Sequence, residues 1–93
     1  SPKINISPAG IFAGSPEKAT SIGLRTEHIR LGEGIDTEVT RVEFLGDQTR
    51  LHLNISGSKL ITLTDAHTSL SKGDTIAISP LNPLYFDADG IRI

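Results

Sequence analysis

The chain contains no cysteine, methionine or tryptophan, and its only aromatic side chains are Phe12, Phe44, Tyr85 and Phe86. Without cysteine there is no disulfide framework, no thiolate zinc site and no cysteine nucleophile, a composition that fits a reducing compartment. With so few rings, the core has to be aliphatic. The formal net charge is −2, and Lys and Arg are scattered, so no basic stripe marks a polyanion site. Nucleic acid is therefore not expected as a partner. No apolar run approaches the ~20 residues that span a bilayer, so membrane association is expected to come through a partner. With no methionine, Ser1 is not expected to be a translation start, and the chain reads as a processed product or a fragment of something longer.

Ninety-three residues, 37% of them hydrophobic, suffice for one domain that buries roughly two thirds of its unfolded surface. The plentiful Ile, Leu and Ala, divided by Gly, Pro, Asn and Asp, point to short strands rather than helices. Residues 1–20 read as a linker with short N-terminal strands, because Pro2, Pro8 and Pro16 interrupt longer elements. Lys3 to Ile6 and Gly10 to Ala13 are the two extended pieces expected there, with Ile4 and Ile6 on the buried face of the first. Residues 21–93 read as the core of the domain. Ser21 to Arg25 is the first secure strand, Thr26-Glu-His28 a corner, Ile29 to Leu31 an extended continuation and Gly32-Glu-Gly34 a break.

A long strand is then expected from Asp36 to Leu45. Its apolar residues fall on both parities, Val39 and Leu45 on one and Val42 and Phe44 on the other, which predicts a bulge or two buried faces. Thr49, Leu51, Leu53 and Ile55 alternate cleanly with polar residues, and the short Leu45-Gly-Asp-Gln48 link predicts a hairpin. Further strands are read at Lys59 to Thr64 and Thr75 to Ser79. A last hairpin joins Leu84 to Phe86 with Ile91 to Ile93 about Asp87-Ala-Asp-Gly90, where Gly90 supplies positive φ. Six to seven short strands without a helix specify an all-β barrel or sandwich.

No catalytic constellation emerges. The glycines do not form a phosphate loop, since Gly32-Glu-Gly34 leads into a strand and not a helix N-terminus. His28, His52 and His67 are too far apart in sequence to form a local chelate, and no serine stands in a nucleophile elbow. Asp87 and Asp89 read as turn formers beside Gly90. Arg25, Glu27, His28 and Arg30 form the densest polar group between apolar strand residues. Two readings stay open for it: a salt-bridged corner in which Arg25 pairs with Glu27 or Glu43, or a contact surface for another subunit or domain that uses the planar donor fork of arginine.

Gly23-Leu-Arg-Thr-Glu-His-Ile29 resembles the G-[IL]-R-P-E-H-[IL] signature of the TOBE, or transport-associated OB, domain of sugar-importer ABC ATPases. Val42-Glu-Phe-Leu-Gly46 is similar to that family's V-E-x-L-G, and Lys72-Gly-Asp74 to its G-[DE] turn. Leu84-Tyr-Phe-Asp87 with Gly90-Ile-Arg92 is similar to its closing motif, and Ser1-Pro-Lys-Ile-Asn5 to the S-P-x-M-N segment that joins the ATPase domain. Thr26 replaces the usual Pro. The piece between Asn5 and Ile22 is shorter than usual, which allows an incomplete barrel.

The resemblance implies a small OB-like barrel acting as the C-terminal regulatory and dimer-supporting domain of an importer's ATP-binding subunit. Its motif residues are Gly23, Arg25, Glu27, His28, Gly46, Asp74, Phe86, Asp87, Gly90 and Arg92, in a structural and contact role. It implies no catalysis, metal or cofactor in this chain, with ATP and Mg held by an upstream nucleotide-binding domain. The implied partners are a second copy, that nucleotide-binding domain, membrane permease subunits and a regulatory protein, at the cytoplasmic side of a bacterial or archaeal inner membrane. Related domains bind molybdate-like oxyanions, for which Ser56-Gly-Ser-Lys59 offers donors, and OB folds also include single-strand nucleic-acid binders.

Overall fold

A computed structural model describes residues 4–93. It contains seven strands: β1 (Ile4–Pro8), β2 (Ser21–Arg25), β3 (Ile29–Phe44), β4 (Gln48–Ile55), β5 (Ser58–Asp65), β6 (Thr75–Pro80) and β7 (Leu84–Phe86). They form a three-stranded sheet in the order β1-β2-β7 and a four-stranded sheet in the order β5-β4-β3-β6. Every pairing is antiparallel. Among the described residues no ladder joins the two sheets, so the expected OB-like architecture is an incomplete barrel. No helix among the described residues is long and apolar enough to cross a membrane.

The core lies between the sheets. Leu51, Leu53 and Ile55 of β4 are essentially inaccessible and meet Ile22 and Leu24 of β2, with Val39, Leu60 and Ile78 completing the layer. The clean alternation of β4 dictates this, because side chains two residues apart share one face of the pleat. Buried threonine hydroxyls are satisfied by backbone carbonyls of other segments: Thr37 Oγ1 donates to the Ile76 carbonyl and Thr62 Oγ1 to that of Thr26, each at 2.9 Å. The expected irregularity in the long strand is a register shift between Val39 and Arg41. Ser56 and Gly57, with φ of 49° and 84°, make the two-residue turn between β4 and β5, so that tight turn accounts for the Ser-Gly-Ser sequence.

Three expectations are corrected. The break expected at Gly32-Glu-Gly34 is a bulge within a continuous β3, where Leu31 and Ile35 both oppose Ile78. Gly34 has φ of +120°, and a Cβ there would sit 2.0 Å from the Ile78 carbonyl oxygen. The glycine lets the ladder resume on the far side of the bulge instead of ending the strand. Extended structure expected at Gly10 to Ala13 is replaced by a 3₁₀ turn over Ala9–Ile11. In β1 the faces are inverted. Ile4 and Ile6 are 42% and 57% exposed, while Ser7 is buried and the half-buried Asn5 turns inward.

Asn5 explains the inversion. Its amide nitrogen donates to the Leu24 carbonyl at 3.0 Å and to the Ile61 carbonyl at 2.9 Å, and its oxygen accepts from the Ile61 backbone N–H at 2.8 Å. The side chain thus behaves like a piece of backbone paired with β5, stitching one sheet to the other where no ladder exists. A polar group with three such partners is better placed inside than an isoleucine that would leave the Ile61 groups unpaired. The N-terminal motif Ser1-Pro-Lys-Ile-Asn5 lies partly outside the described residues, as does the expected strand start at Lys3.

Candidate functional site

The outward face of the three-stranded sheet is built around Gly23. A Cβ at that position would lie 2.9 Å from Ile4 Cδ1, 3.1 Å from Phe86 Cε2 and 3.3 Å from Ile6 Cδ1. The glycine leaves a hollow into which these three side chains lean. Arg25 lies two residues along β2 and opposite Ile4, and Phe86 lies opposite Ser21. An isolated bridge sets Arg92 opposite Phe86. Directly paired residues share a face of an antiparallel sheet, so Gly23, Arg25, Phe86 and Arg92 gather on one surface. Neither arginine forms an ion pair among the described residues. This corrects the expected pairing of Arg25 with Glu27 or Glu43.

Beyond Arg25 the chain turns. The His28 N–H donates to the Arg25 carbonyl and the His28 carbonyl accepts from Leu81, both at 2.9 Å, so the backbone defines this corner. The His28 ring is half-buried, and its Nδ1 is buried without a hydrogen-bond partner. Glu27 is exposed and accepts from the Thr26 hydroxyl at 3.1 Å. Its carboxyl is held below the usual carboxylate range chiefly by a hydrogen bond from its own backbone N–H, then by Thr26, with the His28 and Arg25 charges adding less.

The other motif residues shape turns. Asp87 Oδ1 accepts from the Asp89 and Ile91 N–H groups at 2.9 and 3.0 Å, and Gly90 follows with φ of +77°. That Asx arrangement closes the hairpin that carries Arg92 back beside Phe86. Gly46, with φ of +95°, lies in the β3–β4 link. Asp74 Oδ2 accepts from the Ser71 N–H at 2.8 Å, and the Asp74 carbonyl accepts from Val39 at 2.8 Å. Both lie in links beside strands of the four-stranded sheet and stand apart from the Gly23 surface.

Glu43 heads a cluster that the linear sequence hides. On the outer face of β3 and β4 its carboxylate pairs with Arg41 at 3.5 Å and Arg50 at 3.6 Å, and accepts a hydrogen bond from His52 Nε2. His52 holds the Glu43 carboxyl below its usual range, partial burial opposes this, and the two arginines add to the lowering. Hairpin register was the available signal, because Glu43 stands opposite Arg50 and Arg41 opposite His52. No group of three or more His, Cys, Asp or Glu side chains among the described residues could hold a metal ion.

Comparison with protein-family models matches the TOBE domain over residues 22–83. The chain belongs to the TOBE domain family. Its sequence is also 34% identical over 59 residues to an uncharacterized ABC transporter ATP-binding protein, y4oS, of Sinorhizobium fredii (strain NBRC 101917 / NGR234). That match takes in 62% of this chain and 16% of the relative, so most of the relative lies outside it. In this TOBE domain the apolar surface centred on Gly23 is the strongest candidate for a functional site, because it combines exposed isoleucines, an aromatic ring and two arginines free of internal ion pairs.

Proposed function

We propose that this TOBE domain is the C-terminal regulatory and dimer-supporting part of the ATP-binding subunit of an ABC importer for sugars or related solutes. The observation that carries the reading is the TOBE match across the sheet core together with likeness to an ABC ATP-binding protein. In this role the domain performs no catalysis. ATP and Mg bind to the nucleotide-binding domain of the parent subunit, and the TOBE domain holds two subunits together and presents a surface to a regulatory protein. The parent sits at the cytoplasmic side of the membrane, attached through its permease subunits. The sugar assignment rests on the Gly23–Ile29, Val42–Gly46 and closing motifs quoted above.

The test is removal of residues 21–93 from the intact parent subunit. ATP hydrolysis by the remaining domain is expected to persist, while sedimentation shows weaker self-association and cells lose regulated uptake of a sugar or glycerol phosphate. Unchanged self-association and unchanged uptake would overturn the proposal.

A further inference from the structure

We infer that the outward face of the β1-β2-β7 sheet is the surface on which this domain docks against the ATP-binding domain of its own parent subunit, through an apolar patch ringed by carboxylates on that domain. Ile4, Ile6, Leu84 and Phe86 supply the apolar floor, and Arg25 and Arg92 the cations. Arg30, Arg41 and Arg50 all pair with carboxylates inside the chain, whereas these two form no ion pair among the described residues. Their guanidinium forks are therefore available to carboxylates outside it, the residue type best suited to planar bidentate contact at interfaces.

Charge decides the occupant. The positions of this face on β1, β2, β7 and the Arg92 bridge include no Asp or Glu. A second copy laid isologously on it would oppose arginine to arginine, which costs rather than gains energy. An anionic membrane would meet a chain of net charge −2, a poor match for electrostatic attraction. A neighbouring domain of different sequence need not set arginine against arginine. The match takes in only 16% of the relative, so most of that protein lies outside it. Gly23 fits the same purpose, because side chains leaning into its hollow leave a flatter floor than side chains standing over a Cβ.

This inference rests on the reading that the parent is an ABC ATP-binding subunit. This domain has no cysteine, so in a parent whose remaining cysteines, if any, are replaced by serine, a thiol introduced at Ile6 is a unique probe. In the intact parent, the Ile6→Cys thiol should react with a maleimide at least about tenfold more slowly than a Lys72→Cys thiol at an exposed turn, a docking preference of about 1.4 kcal/mol. Adding Arg25→Glu should restore most of the lost rate; Arg92→Glu serves as the second charge reversal if the first fails to fold. Equal rates for the two thiols overturn the inference. So does protection that appears only with rising protein concentration, which would assign the face to a second copy, or only with anionic vesicles, which would assign it to lipid. A parent that binds no ATP sinks the reading beneath the inference. An unprotected thiol in an ATP-binding parent sinks the docking face alone.

Discussion

The two sheets of this domain treat their outward faces in opposite ways. On the four-stranded sheet the principal outward group is Glu43 with Arg41, Arg50 and His52, whose charged side chains already pair with one another within the chain. On the three-stranded sheet the outside holds isoleucines, a phenylalanine and two arginines that form no ion pair among the described residues. A surface that completes its own ion pairs gives little to a partner. One that exposes apolar area with unpaired guanidinium groups has most to gain from contact. Both sheets pack their inner faces into the same core, so the contrast concerns what the second face of each sheet is for.

Four substitutions sharpen the contrast, and a fifth measurement is of pH. Gly34→Ala should be the most damaging change in the four-stranded sheet, by more than about 4 kcal/mol, because the added carbon collides with backbone at a positive φ. Loss of cooperative thermal unfolding would report it, and a mild shift would show that β3 and β6 part easily at the bulge. Leu51→Ala empties a fully buried site and should cost about 3 kcal/mol in denaturant melts. Asn5→Ala should cost about 2 kcal/mol by leaving Ile61 unpaired. Its specific signature is faster hydrogen exchange at the Ile61 amide, a change that a purely local role in β1 would not produce.

The pH experiment tests the ion pairs of the four-stranded sheet. The Glu43 carboxyl is depressed below 4.5 in the folded protein. Its stabilising contribution is therefore complete above that unfolded value and is lost as pH falls through the lower folded value. Melting temperature should fall on acidification below pH 4.5, and less steeply in Glu43→Gln. Identical slopes would mean that the cluster adds nothing. The smallest expected effect belongs to the other sheet: Ile6→Ala, on the exposed face, should change domain stability by less than about 0.5 kcal/mol. A large loss would mean that the apolar face stabilises the domain itself rather than waiting for a partner.

Much of the scaffold was legible in advance. β2 begins and ends where Gly23 and its neighbours predict, β4 buries Thr49, Leu51, Leu53 and Ile55 as its alternation requires, and Gly90 takes the positive φ of its turn. These are local properties, set by side-chain period and backbone sterics. The motif residues stand out in the sequence, but their division between surfaces is not readable from it. Gly23, Arg25, Phe86 and Arg92 converge because β2 pairs with β7, a contact between chain segments some sixty residues apart. The partners of Glu43 are set by hairpin register rather than by proximity in sequence.

Alternation in β1 determined that Ile4 and Ile6 share a face and that Asn5 and Ser7 share the other. It could not determine which face would turn inward, because apolar periodicity describes a difference between faces and not the position of the second layer. The tertiary structure decided that when β5 came to lie against β1 and offered the Ile61 N–H and carbonyl to Asn5. A half-buried side-chain amide that satisfies those groups outweighs the burial of two isoleucines on an edge strand, and the isoleucines are left facing outward beside Arg25.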